Sequence, residues 1–237
     1  MSSAPRRSPS LRAPRLAILA PFLVHGVLLT VLAVANLDAS FSELFYDRAS
    51  DTWPHQHGLW AKWILHHRAR DLIFLIGVGS LVLAGAAQRK PSLRRLRDPA
   101  LMVVLSIAVT VGVVAVWKKL SPIPCPWNSL NFGGTLEHRP FPLPYPPGVK
   151  LGRCFPGAHA AGAYALMSLF FALRPWGRRL AWWGYGMGWT LGTVYGAAQV
   201  VRGAHYVSHN LWAGLIAWSV VCTLWALFFR KRLAWPT

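Results

Sequence analysis

Apolar runs long enough to cross a bilayer recur along the 237-residue chain, at roughly 16–37, 71–87, 100–117, 160–173, 180–199 and 210–229. No other feature restricts the fold as strongly, because a backbone inside hydrocarbon must satisfy its own hydrogen bonds. The runs at 71–87 and 160–173 are short, so their ends are expected to borrow neighbouring residues or to lie in thinned or protein-shielded bilayer. The expected fold class is all-α: a polytopic membrane protein with six transmembrane helices and a long external loop between helices 3 and 4. A basic cytoplasmic N-terminus at 1–15 is expected to precede a single membrane domain at 16–237. The first run has a basic leader and the sequence AVA at 33–35, but its length reads as an uncleaved helix, not a signal peptide.

A net charge of +18 raises the question of nucleic acid, and the placement of the charge argues against it. Most of the 25 basic residues cluster in alternate connections. Arg6, Arg7, Arg12 and Arg15 precede the first run; Arg89, Lys90, Arg94, Arg95 and Arg97 follow the second. Arg174, Arg178 and Arg179 follow the fourth, and Arg230, Lys231 and Arg232 follow the sixth. The positive-inside rule puts both termini in the cytoplasm and leaves 38–70, 118–159 and 200–209 outside.

Two external segments are distinctive. The stretch 41–67 mixes aromatics with charges and is expected to lie along the interface, with Trp53, Trp60 and Trp63 burying their rings and keeping their N–H groups wet. His55, His57, His66 and His67 read there as solvated imidazoles without a role. The segment 118–159 is loop-like, its five prolines between 138 and 148 forbidding a regular helix, and a long ordered loop of this kind either performs a function or serves as a spacer.

Polar groups gather where the chain meets the external face, in KKLSPIPCPW at 118–127, CFPGAHA at 154–160 and QVVRGAHYVSHN at 199–210. Ionisable groups at membrane depth are costly and are functional candidates by default. Lys118, Lys119 and Arg202 suit phosphate oxygens, and His159 and His205 suit a nucleophile and a general acid near neutral pH. A helix beginning near residue 200 would place Arg202, His205 and His209 on one face. Gly157 and Ala158 would offer backbone N–H groups to an anion at the start of the fourth run. Other readings stand beside this one: wet interfacial histidines, a His205–His209 metal pair, or haem ligated by His25 with His159 or His205. His25 has no partner at similar depth, and an interhelical hydrogen bond suits it better.

These three segments resemble the motifs of the type 2 phosphatidic acid phosphatase family, K-x-x-x-x-x-x-R-P, P-S-G-H and S-R-x-x-x-x-x-H-x-x-x-D, over roughly residues 100–229. Lys118 and Pro126 match the first motif, with Cys125 in place of its arginine. Pro156 and His159 match the second, with Gly157 and Ala158 between them. His205 matches the histidine of the third, with Gln199 at the arginine position and His209 at the aspartate position. The resemblance implies His205 as a nucleophile forming a phosphohistidine, His159 as general acid and Lys118 as a phosphate ligand. His209 would orient His205, and Arg202 or Arg153 would replace the missing arginine. It also implies a phosphorylated membrane lipid as substrate, with lipid A phosphate, undecaprenyl pyrophosphate, phosphatidylglycerol phosphate and phosphatidate as candidates, and no metal or other cofactor. A lipid phosphotransferase and a non-catalytic lipid-phosphate binder are the alternatives.

The expected setting is a bacterial inner membrane with the site facing the periplasm. Cys125 and Cys154 then share an oxidising compartment, so a disulfide is expected to close the proline-rich loop, with two free thiols as the alternative. Cys222, within the last run, reads as a small buried apolar residue.

Overall fold

A computed structural model describes residues 12–59, 68–150 and 152–234. Arg6, Arg7, Trp60, Trp63, His66 and His67 lie outside the described residues. The described chain is all-helical, with helices α1 (Arg12–Val34), α2 (Leu37–Glu43), α3 (Ala69–Arg89), α4 (Arg94–Leu120), α5 (Ala158–Tyr164), α6 (Leu169–Ala172), α7 (Arg178–Val201) and α8 (Val207–Leu224). No named strand occurs among the described residues.

Three helical segments, Ala69–Arg89, Pro91–Leu120 and Val207–Phe229, are long and apolar enough to cross a membrane. The pair Ile18–Val34 and Leu37–Glu43 forms a fourth candidate, bent by 80°. Asn36 makes that bend in the left-handed region at φ 49°, which asparagine tolerates better than most residues. The run expected at 160–173 is instead helix α5, a 3₁₀ turn over Ala165–Ser168 and helix α6, almost wholly buried. Helix α7 is long enough to span, but its glycines, tyrosines and tryptophans hold it below the apolarity of the other three.

Burial of the α5–α6 stretch depends on glycines of α7. Gly184, Gly188, Gly192 and Gly196 repeat every fourth residue and so share one face. A Cβ on Gly188 would stand 2.3 Å from the Met167 backbone nitrogen, and one on Gly192 would stand 2.3 Å from the Tyr164 ring. Such small residues let apolar helices approach until their backbones nearly touch. Helix α8 closes the core from the other side, where Trp218 is fully buried and Phe171 stacks on Trp225 at 4.6 Å.

The two ends of the bundle differ chemically. At one end the basic connections meet: Arg95 lies over the Trp176 ring at 5.0 Å, Arg232 is 3.5 Å from Asp98, and Arg174 is buried beside Trp225 at 5.0 Å. At the other end the loop 121–157 folds back over the helices. Its two limbs are joined by Gly152, Arg153 and Cys154 N–H groups donating to the carbonyls of Pro122, Ser121 and Ile123, each at 3.0 Å. The Cys125–Cys154 disulfide ties the same limbs.

Several details correct the expectations from sequence. Trp53 is buried, not interfacial, because Gly203 at φ 70° leaves room for its ring against the backbone, and its Nε1 has no hydrogen-bond partner among the described residues. His25 Nδ1 donates within its own helix to the Pro21 carbonyl at 2.8 Å, so its bond is not interhelical. His55 and His57 are exposed.

Helix α8 has no cap from its own neighbouring side chains, and Asp38 of α2 supplies one: the Ser208 N–H donates to Asp38 Oδ1 at 2.9 Å. A carboxylate there satisfies a free N–H and faces the positive end of the helix dipole. Asp38→Ala is expected to destabilise the protein by about 1–2 kcal/mol and Asp38→Asn by less, read as thermal unfolding in detergent.

Candidate active site

The residues expected to act together do not share one helix. Helix α7 ends at Val201, the left-handed Gly203 turns the chain, and α8 starts at Val207. Arg202 and His205 therefore sit in a turn, with His209 in the first turn of α8. The turn is fixed from behind, because the Ala204 and His205 N–H groups both donate to the Gln199 carbonyl, at 2.9 and 3.2 Å. It still brings two imidazoles together: His205 Nδ1 is 3.4 Å from His209 Nδ1, with both side chains almost fully buried.

His159 lies in the first turn of α5, half-buried, and Lys118 lies in the last turn of α4. The charges of Lys118, His209 and His159 all bear on His205. Burial first, then those neighbours, hold the His205 imidazole well below its ordinary range, so it is neutral at pH 7 with a lone pair available. Lys119 and Arg153 are exposed, and Arg153 takes the left-handed conformation at φ 54°.

Arg202 is buried and committed. Its Nε donates to the Gln56 carbonyl and its Nη1 to Gln199 Oε1, each at 3.0 Å. This bond fixes the Gln199 amide with its oxygen toward the arginine and leaves Nε2 buried without a hydrogen-bond partner among the described residues. An amide donor thus stands where the family motif has an arginine.

The Gly157 N–H, expected to face an anion, instead donates to the His209 carbonyl at 3.0 Å. The absence of a side chain there has a steric cause. A Cβ on Gly157 would stand 2.5 Å from Asn210 Oδ1, and Asn210 is held in place by donating to the carbonyls of Gly196 and Tyr206 at 3.1 and 3.3 Å. Ala158 opens α5 beside it.

Cys154, His205 and His209 place their ligand atoms within 4.8 Å of one another, a spacing compatible with a metal ion. The sulfur of Cys154 is bonded to Cys125, however, and a disulfide sulfur is not the thiolate a metal takes. That sulfur instead packs 3.5 Å from His205 Nδ1.

Sequence reasoning missed two groups. Asp38 is one of only seven acidic residues, and that scarcity was the available signal. His138 lies in the proline-rich loop, where no periodicity marks it. Its ring stacks on Tyr206 at 3.9 Å and lies 6.4 Å from the His209 ring. Burial pushes the His138 imidazole down to about 4. Between that value and the ordinary 6.5 the unfolded chain binds a proton there that the folded chain does not, so stability falls as the pH drops through this window. Thermal unfolding is expected to shift down between about pH 7 and pH 4.5, and by less in His138→Phe.

An all-helical chain whose apolar helices suit a bilayer, with imidazoles and a lysine gathered at one end, is a membrane protein equipped to handle an anion. The chain belongs to the PAP2 superfamily, whose family model it matches over residues 99–233, more than half its length. Members of that superfamily are phosphatases acting on phosphate esters. No curated protein and no solved structure matches the chain.

Proposed function

We propose that the protein is a lipid phosphatase, hydrolysing a phosphate monoester or pyrophosphate at the periplasmic face of a bacterial inner membrane through a phosphohistidine on His205. One observation carries the lipid assignment. His159 lines a groove of about 420 Å³ between α3, α4 and α5 whose other walls are mostly apolar, including Ile73, Phe74, Ile107 and Val111, with Arg70 also on its lining. Gly162 keeps the groove open, since a Cβ there would meet Ile73 at 3.3 Å. A phosphate presented to His159 through such a groove is best attached to an acyl or prenyl chain. The separation of the basic connections from the histidines supports a six-span topology with both termini cytoplasmic.

In this reading His205 Nε2 attacks phosphorus while His159 protonates the departing oxygen, and water then cleaves the phosphohistidine with His159 as base. Lys118 and the Gln199 amide hold the phosphoryl oxygens, and Arg202 positions Gln199. Lys119, Arg153 and the Ala158 N–H are further phosphate contacts in this proposal, and His209 orients His205.

The test is phosphate release by the purified protein in detergent, with a chelator present, from lipid A phosphate, undecaprenyl pyrophosphate, phosphatidylglycerol phosphate and phosphatidate. Release that survives chelation and is lost in His205→Ala supports the reading. Release requiring a metal, or persisting in that variant, overturns it.

A further inference from the structure

A nucleophilic imidazole needs its proton on the nitrogen away from phosphorus, and a carboxylate behind it normally fixes that tautomer. His209 stands in that place here, and an imidazole is ambiguous: either nitrogen can hold the proton. The ambiguity is heightened by the backbone carbonyl of Cys154, which faces both the His205 and the His209 rings and can accept from either.

Two uncommitted atoms bear on the choice. His209 Nε2 is buried with no hydrogen-bond partner among the described residues, and so is His138 Nδ1. Leaving either unpaired is costly, because each has given up its hydrogen bonds to water on burial. The rings are 6.4 Å apart between centroids, a separation over which a single water can link two ring nitrogens. The His138 ring stacks on Tyr206, whose hydroxyl donates to Ser129 Oγ at 3.1 Å, while Ser129 Oγ donates to the Pro126 carbonyl at 2.9 Å. Its depressed basicity keeps the ring neutral and its lone pair open at physiological pH.

We infer that His138 is a positioning residue that biases the tautomer of His209: carrying its own proton on Nε2, it offers Nδ1 as the acceptor, through water, for the proton on His209 Nε2. His209 Nδ1 is then always an acceptor, the His205 proton resides on Nδ1 facing it, and His205 Nε2 is left bare for attack. Three neutral imidazoles in series thus do the orienting work of one carboxylate. The catalytic consequence rests on His205 being the nucleophile; the lock itself does not.

His138→Phe tests it, because phenylalanine keeps the stack on Tyr206 and deletes the acceptor. The expected result is a kcat lower by roughly 10-fold or more with KM unchanged. In a His209→Asp background, where no tautomer needs fixing, the same change is expected to cost nothing further. Nitrogen-15 histidine NMR of the resting protein is expected to show His209 protonated on Nε2 in the parent and as a mixture of tautomers in His138→Phe. An unchanged His209 tautomer in His138→Phe overturns the lock, as does a kcat loss equal in both backgrounds. Phosphate release that persists in His205→Ala overturns the nucleophile reading instead, and the NMR result then decides the lock by itself.

Discussion

His205→Ala is expected to lower phosphate release by at least about 10⁴-fold in protein still folded at the assay temperature, although loss of a buried ring lowers the unfolding temperature. The magnitude follows from the position of the ring. It is 3% exposed and its Nδ1 lies 3.4 Å from His209 Nδ1, so the ring is held in one place. Its depressed basicity keeps it in the nucleophilic form at neutral pH, a state that a solvated histidine reaches only in part. In the proposed mechanism His159→Ala removes the proton donor and is expected to cost about 10²–10⁴-fold, most severely for substrates with a poor leaving group. Comparing a lipid phosphate with an activated aryl phosphate separates the roles: the aryl ester should largely rescue His159→Ala and leave His205→Ala inactive. Equal rescue of both variants would contradict the division of labour.

Removing the disulfide with Cys125→Ser and Cys154→Ser together is expected to cost about 3–4 kcal/mol, from the chain entropy that a cross-link 29 residues apart in sequence withholds from the unfolded state. The two residues are expected to be redundant in the folded state, because three backbone hydrogen bonds join the same limbs of the loop. The double variant should therefore unfold at lower temperature yet retain most of its turnover at 20 °C or about that temperature. A reductant should reproduce the shift in the parent and have no effect in the variant. A large loss of activity at full foldedness would show that the cross-link also sets the geometry around His205, whose Nδ1 lies 3.5 Å from Cys154 Sγ.

The sequence made the apolar helices legible because twenty successive apolar residues have few alternatives to a spanning helix. Apolarity alone does not reveal that the run at 160–173 tightens to 3₁₀ geometry over Ala165–Ser168 and packs against a row of glycines on α7. Spacing marks Lys118, His159, His205 and His209 as candidates, and the structure brings His205 and His209 together at 3.4 Å. Their placement off a single helix was not readable, because Gly203 takes a left-handed conformation that nothing in the helical periodicity forbids or requires. Asp38 and His138 escaped entirely. Each acts on a partner far away in sequence, as Asp38 does across 170 residues to Ser208.

That last contact bears on how the chain is divided. The family match begins at residue 99, and every motif lies beyond it, which invites a view of the first hundred residues as an accessory. Yet α2 caps the helix that holds His209, Trp53 fills the space over Gly203, and α3 forms one wall of the groove at His159. The motif-bearing portion is thus not a module that can be excised or transplanted. Variation in the N-terminal third should show up as altered chemistry and substrate choice, in a region where sequence comparison alone would score it as neutral drift.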